Sequence, residues 1–207
     1  MKLGSLVKVT ILYVPVALLG LTVGFVHAMQ NTVATDLIRR ECSTCHGARG
    51  VSVSPTFPNL AGQPAAYLEA QLKAFRDRSR ADPHAQAYMW GMAAQLTDST
   101  ITEIAAYFAA QPPARGTRAD PTEIAAGRKL YEDGIAAQNV PACQSCHGNN
   151  AQGNGPFPRL AGQHRQYLER QLEAFASNVR ANELMHQNSM NLTALQISQV
   201  AAFLSAQ

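Results

Sequence analysis

The sequence predicts an all-α protein made of two tandem copies of one unit, and three observations carry this prediction. The block Phe57–Phe75 returns as Phe157–Phe175, with thirteen of nineteen positions identical at an offset of 100. Within each block the apolar residues recur at the spacing of one helix face. No alternating apolar run of useful length indicates a sheet. We therefore expect two homologous helical domains.

The composition excludes one broad class of function. The chain has 207 residues and a formal charge of +3, and only 15% of its residues are charged, against roughly 25% in typical soluble proteins. It contains no block of basic residues. Nothing therefore indicates a nucleic-acid partner.

Residues 1–28 have the pattern of a secretory signal peptide. Lys2 and Lys8 precede an uncharged apolar stretch over Ile11–Val26, and the small residue Ala28 suits cleavage. A retained membrane anchor is the alternative, but sixteen apolar residues interrupted by proline fall short of the ~20 that span a bilayer. We expect export to the periplasm and cleavage after Ala28.

The internal repeat sets the domain boundaries. The segment Gln111–Asp120 holds two prolines, a glycine and polar residues, which is typical of a semi-stiff linker. We assign residues 29–112 to domain 1, 113–118 to the linker and 119–207 to domain 2.

Each copy is predicted to open, continue and close with a helix. Pro121 suits the first turn of an opening helix that ends at Gly134; the first copy lacks the glycine and aromatic residue that Gly127 and Tyr131 supply here. The central helix is the repeated block. Capping boxes predict the closing helices, formed by Thr100 with Glu103 and by Thr193 with Gln196.

All four cysteines fall in two Cys-x-x-Cys-His motifs, Cys42–His46 and Cys143–His147. A thioredoxin-like pair needs a strand–helix context, which is not predicted. A shared zinc site is disfavoured because each repeat has its own copy of the motif. A disulfide across two intervening residues would close a very small loop and stabilise little.

Covalent haem attachment explains the motif better. Two thiols at this spacing reach the two vinyl groups of one porphyrin, and the following histidine points its imidazole at the iron. A domain of some 80 to 90 residues is only marginally stable without an added cross-link or cofactor. A covalently held haem would complete its core. The sequence therefore predicts two covalently bound haem c groups.

The motif "CSTCHG" and the blocks "FPNLAGQ" and "YLEAQLKAFR", with their second copies, resemble the dihaem cytochrome c4 family over essentially all of the mature chain. The resemblance implies two c-type cytochrome domains, each wrapped around a His/Met-ligated haem. It also implies that the carbonyls of Pro58 and Pro158 accept the proximal histidine N–H. The implied haem attachment and proximal ligand residues are Cys42, Cys45, His46, Cys143, Cys146 and His147.

Each domain offers two candidates for the methionine ligand. Met89 and Met185 both stand seven residues before the aligned leucines Leu96 and Leu192. Met92 aligns with an asparagine in the second copy, and Met190 with an alanine in the first. A ligand required twice should share one register, so we assign Met89 and Met185.

Other polar residues have less specific interpretations. His84, His164 and His186 have no partner in the other copy and are interpreted as surface or loop residues. Arg80 and Arg180 align with each other, and either haem propionates or bulk solvent could accept their charge.

The resulting hypothesis is a periplasmic electron carrier and not an enzyme, because His/Met ligation leaves no open iron position. The resemblance implies a quinol–cytochrome c oxidoreductase or a copper protein as donor and a terminal oxidase as acceptor. The alternative is a dihaem subunit of a flavocytochrome c-type sulfide dehydrogenase, and co-purification with a flavoprotein would distinguish it.

The mature protein is expected to begin at or near Met29 and to carry two covalent haems. Intact-mass measurement of protein isolated from the periplasm checks both expectations. A mass with one haem, or one that retains residues 1–28, would contradict them.

Overall fold

The computed structural model describes residues 33–207, so the predicted signal peptide and its predicted cleavage site lie outside the described residues. The described part is helical, which confirms the predicted all-α class. Its only β-type pairings are two isolated bridges, Ile135 with Val140 and Asn154 with Phe157.

Domain 1 consists of short helical turns and two longer helices. Residues 33–37 are helical and continue into the π-helical turn Ile38–Cys42. A second π-helical turn, Ala85–Met89, leads directly into a short α-helix. The α-helices are α1 (Ser43–His46), α2 (Ala65–Arg76), α3 (Trp90–Ala93) and α4 (Asp98–Ala109).

Domain 2 repeats this order with a shorter methionine-bearing segment. A 3₁₀ turn, Ala136–Gln138, follows its first helix. The α-helices are α5 (Pro121–Asp133), α6 (Gln144–His147), α7 (Arg165–Ala176), α8 (Glu183–Ser189) and α9 (Ala194–Ser205).

The two domains pack their opening and closing helices differently. In domain 1 the small side chain of Ala34 and that of Ile38 are buried against α4, next to Ile104 and Phe108. In domain 2, Gly127 allows α5 to approach α9 so closely that a Cβ atom would lie 2.0 Å from the Gln199 carbonyl oxygen. Small residues therefore permit the contact in both domains, although only domain 2 uses glycine.

The closing helices begin at threonine caps, one of which differs from the prediction. Helix α9 has the predicted capping box between Thr193 and Gln196. Helix α4, however, begins one turn earlier than expected, because the Thr97 hydroxyl accepts the Thr100 backbone N–H. The assignment of Thr100 as the cap was wrong, because two threonines three residues apart offer alternative starts and Leu96 fixes the earlier one by packing against the core.

A reciprocal set of four hydrogen bonds joins the two domains. The Gln63 side chain donates to the Arg159 carbonyl (2.7 Å) and accepts the Arg159 N–H (3.0 Å). The Gln163 side chain donates to the Asn59 carbonyl (2.9 Å) and accepts the Asn59 N–H (2.8 Å). Each glutamine side chain thus donates to and accepts from one backbone residue of the other domain, as a neighbouring β-strand residue would. Because Gln63 and Gln163 are aligned in the two repeats, the two pairs of bonds are equivalent.

Further contacts strengthen this interface. His164 Nε2 donates to the Ser52 carbonyl (3.1 Å), and the Arg170 guanidinium donates to the carbonyls of Pro55 and Thr56. The linker is also attached, since the Thr117 N–H donates to the Ser205 carbonyl at 2.8 Å. The domains therefore form one body with several independent attachment points.

Substituting Gly127 by alanine should lower the free energy of unfolding by about 1–3 kcal/mol, because the added methyl group meets the α9 backbone. Denaturant unfolding of the haem-loaded protein, followed by circular dichroism, measures this change.

Gly91→Ala is the matched control, because a Cβ atom at this helical glycine meets nothing within 4 Å. It should be neutral or stabilising by up to about 1 kcal/mol. Equal destabilisation by both substitutions would contradict the packing argument.

Candidate haem sites

Both Cys-x-x-Cys-His motifs lie on short helical segments that end at a glycine. Helix α1 ends at Gly47 with φ of +79°, and α6 ends at Gly148 with φ of +84°. A Cβ atom on Gly47 would lie 2.1 Å from the Val51 carbonyl oxygen. Glycine is therefore needed directly after each histidine, where the chain turns sharply back towards the loop that holds the imidazole.

The proximal histidine of domain 1 is buried and held in one orientation. His46 Nδ1 donates to the Pro58 carbonyl oxygen at 2.9 Å, so the proton resides on Nδ1. Burial lowers the pKa of His46, although the Pro58 carbonyl opposes this shift. The imidazole is thus neutral at pH 7, and its Nε2 lone pair is available for a metal.

Domain 2 has the same arrangement. His147 Nδ1 donates to the Pro158 carbonyl at 3.0 Å, and burial again lowers the histidine pKa. An aromatic ring lies edge-on to each imidazole, with centroid distances of 6.0 Å for Phe57 and His46 and 6.3 Å for Phe157 and His147. The contact expected for Pro58 and Pro158 is present in both copies.

A tightly bonded loop positions each proline carbonyl. In domain 1 the Gly50 carbonyl accepts the N–H groups of Leu60 and Ala61, at 2.7 and 3.0 Å. The Asn59 side chain accepts the Ser52 N–H at 2.9 Å. In domain 2 the Ala151 carbonyl accepts the equivalent pair of N–H groups, from Leu160 and Ala161. In both domains, therefore, hydrogen bonds of the residues that follow the proline fix the carbonyl that accepts the imidazole N–H.

The four cysteines, all within the described residues, form no disulfide. Burial raises the pKa of the Cys42 thiol to about 11, and that of the Cys143 thiol to about 11. A reactive redox pair has a lowered thiol pKa instead. Across residues 33–207 no three His, Cys, Asp or Glu side chains converge as a metal-binding group. The raised thiol pKa values therefore disfavour a thioredoxin-like pair.

The predicted methionine ligands are more enclosed than their alternatives. Met89 packs against the cluster of Phe75, Ala85 and Ala93, and Met185 is half-buried. Met92 is 55% exposed and Met190 is 51% exposed. The ligand assignment to Met89 and Met185 stays a prediction, and these burial differences favour it.

The methionine-bearing segment of domain 1 lies beside the proximal histidine. Phe57, which contacts His46, also contacts Tyr88 edge-on at a centroid distance of 5.3 Å. Tyr88 directly precedes Met89 in the sequence. These contacts bring the two predicted ligand segments of one domain to the same aromatic residue.

These residues fit a covalently attached haem. Each domain presents two unpaired thiols one helical turn apart, followed by an imidazole with its Nδ1 proton engaged and its Nε2 free. Two thiols at this spacing suit thioether formation with vinyl groups, and an oriented imidazole suits axial ligation.

The structure corrects the open interpretation of Arg80 and Arg180. Neither is solvated, because both are more than nine-tenths buried at the domain interface. Each donates to both Gln71 Oε1 and Gln171 Oε1, at distances between 2.5 and 2.8 Å. Each also approaches a tyrosine of the opposite domain: Arg80 lies 3.5 Å from Tyr167 Oη and Arg180 3.1 Å from Tyr67 Oη.

The three unmatched histidines were interpreted as surface or loop residues. His164 does lie in the loop before α7, where it bridges the domains through Ser52. His186 instead lies half-buried in α8, and its Nδ1 donates to the Phe175 carbonyl at 2.9 Å. His84 stacks at a tilt on Tyr88 with a centroid distance of 5.8 Å. Over residues 33–207, none of these three histidines forms a hydrogen bond or ring contact with His46 or His147.

Sequence reasoning missed the interface glutamines. Gln63, Gln163, Gln71 and Gln171 are identical in the two copies, and the central-helix pair lies on a face that is otherwise apolar. That combination was the available signal, because a repeated polar residue within an apolar helix face needs a buried partner.

Comparison with known proteins identifies similar groups. The family model described as cytochrome c matches residues 34–111 and 124–207. A cytochrome c-552 of Acidithiobacillus ferridurans is 43% identical over 171 residues, covering 82% of this chain and 74% of that protein. The solved cytochrome c4 of Acidithiobacillus ferrooxidans is 44% identical with a TM-score of 0.77, covering 80% of this chain and 98% of that one.

A third similar protein carries a different name. A thiosulfate dehydrogenase electron acceptor of Thiomonas intermedia is 37% identical over 173 residues, covering 80% of this chain and 78% of that protein. Separately, none of the helices over residues 33–207 has the length and apolar character needed to cross a bilayer.

Replacing Met89 or Met185 by alanine should abolish the sulfur-to-iron charge-transfer band of one haem and lower its potential, because thioether ligation raises the potential relative to the harder ligands that would take its place. Visible and near-infrared spectra of the oxidised protein, combined with redox titration, measure both effects.

Met92→Ala and Met190→Ala are the matched controls and should leave both bands in place. Loss of a band in Met190→Ala with retention in Met185→Ala would show that the repeat register does not identify the ligand.

Proposed function

Because the chain belongs to the cytochrome c family, in its dihaem cytochrome c4 branch, we propose that it carries single electrons in the periplasm from a respiratory donor to a terminal oxidase. The protein holds two covalent haem c groups and is an electron carrier, not an enzyme. Its partners are therefore redox proteins. A quinol–cytochrome c oxidoreductase or a copper protein is proposed as the donor.

The proposed roles of the site residues follow from their chemistry. Cys42 and Cys45, and likewise Cys143 and Cys146, form the thioethers. His46 and His147 provide the proximal ligands, and Met89 and Met185 the distal ligands. Haem c, when bound, supplies one reversible electron step between Fe(III) and Fe(II).

The protein residues keep each site ready for this step. The Pro58 and Pro158 carbonyls would hold each imidazole in the orientation that a bound haem needs, because each accepts the Nδ1–H and leaves Nε2 to face the iron. Two axial ligands leave no position for a substrate, so little beyond electron transfer is possible. The bonded loops around both prolines limit structural change, which keeps electron transfer fast.

The observation that carries the proposal is the presence of one histidine–proline geometry in two rigidly joined domains. Two equivalent sites in one body allow one haem to accept an electron while the other delivers one. The four glutamine–backbone hydrogen bonds support this division, because they fix the distance between the two sites.

A second candidate role is service to a sulfur-compound dehydrogenase. The Thiomonas intermedia relative is named as a thiosulfate dehydrogenase electron acceptor. The same fold could accept electrons from such an enzyme, or act as the haem subunit of a flavocytochrome c-type sulfide dehydrogenase. In each case the chain itself binds no sulfur substrate and receives only electrons.

The experiment uses the reduced, haem-loaded protein and membranes from its own organism. Reoxidation followed by absorbance should accompany oxygen consumption, and a terminal-oxidase inhibitor should stop both. Met185→Ala should alter the rate, whereas Met190→Ala should match the unsubstituted protein.

Native purification distinguishes the second candidate. A flavoprotein that co-purifies in equal amount, or reduction by a thiosulfate-oxidising fraction without any reoxidation by membranes, would favour the dehydrogenase role and contradict the proposed one.

A further inference from the structure

The residues directly after the two predicted methionine ligands differ in identity but share one chemical group. Trp90 follows Met89 and His186 follows Met185, and the two positions align in the repeat as the methionines do. Tryptophan and histidine have little in common except a ring N–H that can donate a hydrogen bond. Both side chains are half-buried, so the fold decides which acceptor each N–H reaches.

In domain 1 the indole N–H attaches the methionine-bearing segment to the residues that follow the central helix. Trp90 Nε1 donates to the Arg80 carbonyl at 2.8 Å. Arg80 is itself fixed to α2, because its side chain is buried and its backbone N–H donates to the Ala74 carbonyl at 3.1 Å. Two hydrogen bonds therefore connect the neighbour of Met89 to the last turn of the central helix.

In domain 2 the imidazole N–H makes the corresponding attachment directly. His186 Nδ1 donates to the Phe175 carbonyl at 2.9 Å, and Phe175 lies in the last turn of α7. The last carbonyls of a helix have no partner within that helix, so the imidazole supplies one of the donors that this end of α7 needs. The Gln187 and Ser189 side chains, by contrast, donate to acceptors within α8.

The two attachments are analogous but not identical, because the segments that carry them differ in length. Met89 lies nine positions after Arg80, whereas Met185 lies five positions after Arg180. The longer segment of domain 1 reaches its central helix through the Arg80 backbone, and the shorter segment of domain 2 reaches the helix itself. The same kind of donor thus makes the contact in both domains, although its acceptor differs.

The methionine-bearing segments are too short to hold their own position. Met89 ends a π-helical turn of five residues that leads into the four residues of α3, and Met185 lies in α8, which has seven residues. Isolated helices shorter than about 12–15 residues are marginal in water. The position of each segment therefore depends on contacts with longer elements, and the ring N–H beside each methionine makes such a contact.

We propose that Trp90 and His186 are positioning residues, whose ring N–H groups fasten each methionine-bearing segment to the end of its central helix and so keep the thioether in place as the axial ligand. The inference rests on the proposed ligation by Met89 and Met185. Loss of the N–H leaves the methionine in the chain but frees its segment to move away from the site. Neither ring has to touch the haem for this role.

The size of the effect follows from the net contribution of one hydrogen bond. Such a bond shifts the equilibrium between an attached and a detached segment by about fivefold. Added imidazole can bind only to an iron that the methionine has left, so its apparent affinity rises in proportion to the detached fraction. Removing one N–H should therefore make imidazole bind about fivefold more tightly to one haem and leave the other haem unchanged.

The test is an imidazole titration of the oxidised, haem-loaded protein, followed by the sulfur-to-iron charge-transfer bands. Trp90→Phe keeps an aromatic ring but removes the N–H, and it should raise the imidazole affinity of the domain 1 haem about fivefold. His186→Leu should do the same for the domain 2 haem. Met89→Ala and Met185→Ala, each of which should lack one band, show which band belongs to which domain.

Two further variants separate positioning from general packing. His186→Asn places an amide N–H close to the position of Nδ1 and should restore the imidazole affinity of the unsubstituted protein. Gln187→Ala is the control, because this exposed side chain donates to Glu183 within α8 and should leave both affinities unchanged. Circular dichroism should show the same helix content in all of these variants.

The outcomes distinguish this role from the ligation on which it rests. Retention of both bands in Met89→Ala and Met185→Ala would overturn the ligand assignment and this proposal together. Loss of one band in each methionine variant, with unchanged imidazole affinity in Trp90→Phe and His186→Leu, would overturn the positioning role alone. Equal gains in affinity at both haems would indicate general loosening and would also contradict it. These are equilibrium measurements on the isolated protein, so they do not depend on whether membranes reoxidise it.

Discussion

The hydrogen bond from the proximal imidazole to a proline carbonyl is the contact on which the rest of the structure depends. The loop that presents the Pro58 carbonyl to His46 also carries Asn59 and Gln63, which join the domains. The same seven-residue segment, Phe57–Gln63, therefore orients the ligand and builds the interface. A change in this loop would alter the site and the interdomain distance together, which explains why a single block repeats so closely in the sequence.

The two domains make equivalent contacts at their interface but differ in charge. The glutamine–backbone pairs and the proximal histidine contacts occur twice, and the single arginine–glutamine cluster takes one arginine and one glutamine from each domain. Charge differs at several aligned positions, among them the buried Asp82 and the exposed Asn182. A buried charge is screened far less than an exposed one. The two copies thus share their backbone contacts while their charges differ.

Local chemistry made much of the fold predictable from the sequence. Motif spacing indicated the haem sites, helix periodicity indicated Tyr67–Phe75, and Thr193 with Gln196 indicated a cap. The remaining features depend on contacts between distant parts of the chain. Periodicity could not show that Arg80 meets the opposite domain, because a helix pattern does not identify its partner surface. Thr97 was missed for a smaller reason, since core packing chose between two adjacent caps.

A duplicated chain gains more from this arrangement than two separate single-haem domains would. Linking the domains makes each the other's permanent neighbour, so exchange between sites needs no diffusional encounter. A linker alone would still allow many orientations, whereas Gln63 and Gln163 bind opposing backbones and remove that freedom. The buried arginines then cannot escape to solvent, and burying them is costly unless every donor is paired. The interface that fixes the distance between the sites therefore also holds both arginines, with their glutamine partners, in one arrangement.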